Sequence, residues 1–210
     1  PSKVLFILLT VNDGRLLPTI VSRCQRVELH PISASVIEQA LMERWQVAPD
    51  KAKVLSRLCR GAIGWAVSAA HDEKLLQERS EKLFGLIRLA TETLDQQFAF
   101  AAGLAVQFSK SRASVEEVLK LWLGWWRDIL LVKEGCVQLV TNIDQEETLH
   151  NHAEWYDIAQ IRGFIEDITT ALEQMEQNAN PRLALEVLML SISNKGEEQG
   201  SVPQRLGLPR

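Results

Sequence analysis

The chain has 210 residues, of which 46% are hydrophobic and 24% charged, enough apolar material for one or two buried cores and too much for a disordered polymer. A net charge of −4 and a pI near 5.7 argue against broad, sequence-independent nucleic-acid binding by the chain alone. No apolar run approaches the ~20 residues of a membrane span, and Cys24, Cys59 and Cys136 are too few and too far apart for a disulfide framework or a zinc site, so they read as reduced, mostly buried thiols of a cytosolic protein.

Val4 to Leu9 is an unbroken apolar run that hands over at Thr10 to the turn residues Asn12-Asp13-Gly14. That pattern predicts a strand buried on both faces, as in a parallel sheet. Ligands of such sheets sit beyond the carboxyl ends of the strands, where Thr10 and Asn12 would project. A lone strand cannot bury both faces, so the reading expects the rest of a sheet to lie N-terminal to it. A short element from about Leu16 delivers Ser22-Arg23-Cys24, and Arg26 to His30 alternates as an edge strand until Pro31 stops it.

From Ser33 to about Ser193 the pattern is helical throughout. Ser35-Val36-Ile37-Glu38 predicts a capping box for a helix to about Trp45, Asp50 an N-cap for the next, and Gly61 its end. A third helix runs from about Ile63 to Ala70. Such a bundle of roughly forty residues rarely stands without a neighbouring surface. Helical runs from Asp72 to about Thr93 and from Gln96 to Ser109 follow.

Ser114-Val115-Glu116-Glu117 predicts a second capping box, after which Val115, Leu119, Trp122, Trp126 and Ile129 recur at helical spacing until Gly135. Asn142 to Asp157 holds five carboxylates and no lysine or arginine, and reads as a solvated short helix or loop. An apolar stripe from Ile158 to Met175 marks one more helix. The last starts at Pro181 behind the cap Asn180 and runs to about Ile192. Residues 196–210 read as a flexible tail.

Most of the six tryptophans belong in the core by their spacing. His150-x-His152 has no recognisable third ligand, so it does not read as a metal site. No glycine-rich phosphate loop, HExxH or Gly-x-Ser-x-Gly occurs. An isolated Ser-Arg-Cys is ordinarily a surface arginine in a loop. Its order here, after a buried-type strand and before a short strand, Pro31 and three helices, gives it weight.

With that order, Val4–Cys24 resembles the sensor 1 strand and Ser-Arg-Cys motif of AAA+ clamp-loader subunits. The resemblance extends over nearly the whole chain, through Arg60-Gly61-Ala62-Ile63-Gly64-Trp65-Ala66, Trp125 to Leu131, and Asn178 to Glu186. It implies a mainly α fold: the last strands of a AAA+ α/β core over residues 1–31, a three-helix lid over 32–81, a helical collar or oligomerisation domain over 82–195, and the tail.

It also implies site residues. Arg23 would be a finger acting in trans on the ATP-Mg of a neighbouring subunit, because a planar guanidinium suits the spread charge of a transferring phosphoryl group. Thr10 would occupy the sensor 1 position beside that chemistry, with Ser22 the motif neighbour of Arg23. Gly64 stands where the family's cis sensor 2 arginine would be, so no nucleotide cofactor is expected on this chain itself.

The implied role is a non-hydrolysing subunit of a bacterial replication hetero-pentamer. Its expected partners are gamma/tau and delta subunits and, through the complex, the sliding clamp and primed DNA, with no membrane involved. An ATP-hydrolysing gamma/tau-type subunit, against which Gly64 speaks, and a purely structural helical scaffold are the alternatives.

Overall fold

The computed structural model describes residues 4–10, 14, 16–89 and 92–197, with side chains through Ile192. Among them are ten α-helices and no strand. The mainly α expectation therefore holds. The chain divides into two compact units, residues 1–31 and residues 32–210.

In the first unit, α1 (Pro18–Val21) is a single turn opened by Pro18, whose fixed φ suits a first helical position. The two segments read as strands carry no strand pairing. Leu5, Phe6 and Leu9 are 83%, 83% and 89% exposed rather than buried, and Val27 and Leu29 are also open. The physical reason is that a strand is stabilised by its ladder, and no described residue supplies one. Around Glu28 the side chains pair locally instead, with Arg26 at 3.6 Å and His30 at 4.0 Å. The expected turn at Asn12-Asp13 lies outside the described residues.

The second unit opens with α2 (Ala34–Trp45), α3 (Pro49–Leu58) and α4 (Ile63–His71), which enclose Ile37, Leu41, Ala52, Leu55, Ala66 and Ala69. The caps differ from expectation. Ser33, not Ser35, precedes α2, and Pro49 rather than Asp50 opens α3, leaving Asp50 in the first turn where the helix dipole favours its charge. Beyond the Cys59 cap, Arg60 (φ 48°) and Gly61 (φ 90°) turn left-handed and reverse the chain.

Helix α5 (Glu73–Leu89) serves two cores. Leu75 and Leu76 cover the small bundle, supplying the surface it lacks, while Leu83, Leu86 and Ile87 enter a second, larger core. That core is completed by α6 (Leu94–Lys110), α7 (Arg112–Lys133), α8 (Glu146–Trp155), α9 (Ile158–Glu176) and α10 (Pro181–Glu197). Helix α7 starts before its predicted cap: Ser111 Oγ accepts from the Ser114 amide at 3.3 Å. Asp157 and Gln160 form the reciprocal capping box of α9, at 2.9 and 2.8 Å. Asn180 caps α10 as expected, and that helix continues to Glu197. The rest of the expected tail, from residue 198 on, lies outside the described residues.

Trp122, Trp125 and Trp126 are buried at the centre, where Trp126 stacks on Phe164 (4.0 Å between centroids) and meets Tyr156 edge-on. Trp45, Trp65 and Trp155 are half-buried against the two cores. The acidic segment is only partly solvated: α8 turns Leu149, His152 and Ala153 inward, because its apolar residues recur at helical spacing between the charges. Of the cysteines, only Cys59 is buried; Cys136 is half-buried and Cys24 exposed, since Cys24 sits on the open turn after α1.

Candidate functional site

The turn after α1 presents the first candidate residues. Ser22 caps the helix, its hydroxyl donating to the Thr19 carbonyl at 3.4 Å, and the Arg23 amide donates to the Ile20 carbonyl at 3.1 Å. The backbone of the Ser-Arg-Cys segment is thus fixed by α1. Arg23 itself is exposed, with no carboxylate partner among the described residues. Thr10 is exposed as well and lines an open groove of about 850 Å³ with Ile20, Val21, Cys24 and residues 25–30. Ser22 and Arg23 are not among the walls of that groove, so the structure does not gather the three residues into one pocket. What it offers at Arg23 is a solvated guanidinium on a hydrogen-bonded turn, a group available to an anion brought by another molecule.

In the second unit, Gly64 lies in the first turn of α4, exposed, and a Cβ built on it would meet nothing within 4 Å. The glycine is therefore not dictated by packing, and the position carries no charge. Arg60 does not take over from there. Its guanidinium lies over α7 at Gly124, where a Cβ would come within 1.6 Å of Arg60 Nη2, and Nη1 approaches the Lys120 carbonyl at 3.5 Å. Gly124 thus leaves room for the arginine against the helix backbone. Burial of the guanidinium lowers the Arg60 pKa from its usual value, which the nearby Asp128 carboxylate opposes and Arg127 reinforces.

One turn further along α7 is a group that sequence reasoning missed. Asp128 is wholly buried, and its Oδ2 accepts from the Thr141 amide (3.0 Å), the Asn142 amide (2.7 Å) and Asn142 Nδ2 (2.7 Å). Arg79 of α5 closes the cluster by donating to Asn142 Oδ1 and pairing with Asp144 at 3.7 Å. A carboxylate three residues after Trp125, inside an apolar stripe, was the available signal, because buried charge is rare without partners. The cluster is fully occupied by its own members and reads as architecture. From α3, Arg57 adds a bond to the Gln138 carbonyl, tying the small bundle to the α7–α8 connection.

His152 packs edge-on against Trp125 and beside Trp155, and burial pushes its pKa down to about 4. It is a neutral core histidine. No group of three or more histidine, cysteine or carboxylate side chains suited to a metal occurs among the described residues. Nor is any helix there long and apolar enough to cross a membrane.

Comparison with known proteins gives a consistent answer. Residues 1–33 match the family described as DNA polymerase III, delta subunit, and residues 73–194 the family described as DNA polymerase III, delta subunit, C terminal. The DNA polymerase III subunit delta' of Bacillus subtilis (strain 168) is 25% identical over 186 residues, covering 89% of this chain. The chain spans 56% of that relative's length.

Proposed function

Because the chain belongs to the DNA polymerase III delta-subunit family, we propose that it acts as a delta-prime-type clamp-loader subunit in the bacterial cytoplasm. In this reading Arg23 reaches into the ATP-Mg site of an adjacent gamma/tau-type subunit, and the helices from α5 to α10 join the collar of a hetero-pentamer with gamma/tau and delta. The complex opens the sliding clamp and places it on primed DNA, while this chain hydrolyses nothing by itself.

The observation that carries the proposal is Arg23, exposed and without a carboxylate partner among the described residues, on a turn braced by α1, in a chain whose Gly64 offers no cis charge. A planar fork of donors stabilises the charge spread over a transferring phosphoryl group, an effect worth about 10³–10⁵ in rate for such fingers. Thr10, open in the same unit, fits a polar sensor near that chemistry, and Ser22 fixes the turn that presents Arg23.

The test is Arg23→Ala in the full-length protein, assembled with its partner subunits. Folding and assembly should stay within about 0.5 kcal/mol of wild type, as for an exposed side chain. Clamp- and DNA-stimulated ATP turnover at that one interface should fall steeply, and clamp loading with it. Arg23→Lys should restore little, because an ammonium lacks the planar fork. Wild-type loading by an Arg23→Ala complex of normal stoichiometry would leave the scaffold reading in front.

A further inference from the structure

Two residues of the second unit are locally unfavourable, and they meet. Gly124 is buried in the interior of α7, a 22-residue helix in which alanine would be the better helix former. Arg60, on the α3–α4 turn, holds a left-handed backbone (φ 48°) that a side chain of its size rarely adopts. A Cβ built at Gly85 or Gly103 meets nothing within 4 Å, so those helical glycines clear no neighbour. One built at Gly124 would lie 1.6 Å from Nη2 and 2.8 Å from Cζ of Arg60. Each exception accounts for the other: the turn aims the arginine at α7, and the glycine leaves a notch for its planar fork.

The contact joins the two cores. Arg60 sits between α3 and α4 of the small bundle, and Gly124 lies on α7 between the buried Trp122 and Trp125 of the larger core. Arg60 is exposed overall, yet its guanidinium end rests on the helix backbone, with Nη1 3.5 Å from the Lys120 carbonyl. The Asp128 carboxylate, one turn on, attracts that end through space. Two further guanidiniums reach the same side of the larger core. Arg57 at the end of α3 donates to the Gln138 carbonyl, and Arg79 of α5 holds Asn142 and Asp144. Of the three, the Arg60 contact is the one that depends on a missing side chain, which fixes its position along α7.

We propose that the fit of Arg60 into the Gly124 notch is a latch that sets the orientation of the small bundle on the larger core. Helix α5 serves both cores and is the tether between them, while the latch stops rotation about it. The inference rests on the second unit alone and not on the role of Arg23.

The experiment is double electron–electron resonance on the whole chain. Spin labels go on Arg44→Cys of α2 and Arg162→Cys of α9, both exposed, with Cys24→Ser and Cys136→Ser removing the other accessible thiols. Gly124→Ala fills the notch; the atoms in its way are the flexible end of Arg60, so α7 itself accommodates the change. Arg60→Asn removes the guanidinium, and asparagine tolerates the left-handed backbone. The expected result is a narrow distance distribution for the native pair, at least twofold broader with either change and no broader when the two are combined. An unchanged distribution in Arg60→Asn would overturn the latch and leave the orientation to α5 and Arg57. A further broadening by Gly124→Ala in the Arg60→Asn background would overturn it as well, because the glycine would then serve something other than the arginine.

Discussion

At the scale of a single residue, the burial of His152 makes this fold sensitive to acid. It is 5% exposed and its pKa falls to about 4, because burial against Trp125 and Trp155 penalises the imidazolium. In the unfolded chain the same group titrates near 6.5. Below that value the unfolded state binds the proton and the folded state does not, so stability declines as the pH falls from about 6.5 through about 4. The full loss is about 3 kcal/mol, and it is absent at pH 7.5, where both states are neutral. Urea unfolding at pH 7.5, 6, 5 and 4.5 should show this decline, and His152→Gln should flatten it although the variant is less stable at neutral pH. A decline of unchanged steepness in the variant would move the acid sensitivity to the carboxylates.

At the scale of elements, the Asp128 cluster holds the connection between α7 and α8, and it makes a sharp distinction between two substitutions. Asp128→Ala leaves two backbone amides and the Asn142 amide without an acceptor in a place closed to solvent, at about 1–3 kcal/mol for each unsatisfied group before relaxation. A net loss of about 3 kcal/mol in chemical denaturation is expected. Asp128→Asn should recover most of it, since the amide oxygen can take the place of Oδ2, and hydrogen exchange at Thr141 and Asn142 should accelerate in the alanine variant only. Equal losses in both variants would mean that the charge, not the acceptor, holds the connection.

This cluster also marks the edge of what the sequence reveals. The helices were legible because their signals are local: the apolar repeat through Trp122 and Trp126, Gly135 after α7, Asn180-Pro181 at the start of α10. Asp128 was not, because its partners Thr141 and Asn142 lie 13 and 14 residues away, and Arg79 of α5 in turn holds Asn142. Caps near serine pairs slipped for the opposite reason, as Ser33 and Ser35 are equally able and only the turn of the chain decides between them. The order of the sequence singles out Arg23 as a candidate, but its openness to solvent is a property of the turn after α1. The strands failed to pair because apolarity and alternation express fitness for a sheet, while the ladder depends on neighbours that no local pattern contains.

For the whole molecule, the second unit leaves one helix face unexplained by its own core. Helix α10 buries Ala184, Leu185, Leu188, Met189 and Ile192, yet Leu183, Val187 and Leu190 are 60%, 49% and 41% exposed. The spacing of those three places them in one stripe on the opposite side, beside the Arg182–Glu186 pair. A helix apolar on two faces is suited to packing on both. If the collar role proposed above is right, this outer stripe of α10 is where a neighbouring subunit rests. Leu183→Asp with Val187→Asp should then leave the isolated protein folded, with a stability change within about 0.5 kcal/mol per site, as for surface positions. Assembly with the partner subunits should weaken at least tenfold, since hiding two such side chains contributes about 1.5–3 kcal/mol each when complete, and a tenfold change is about 1.4 kcal/mol. Size-exclusion chromatography of the reconstituted complex against a protein dilution series reads that shift directly. A double variant that assembles at wild-type concentrations would remove the stripe from the interface and require the collar contacts to come from another face of α6 to α9.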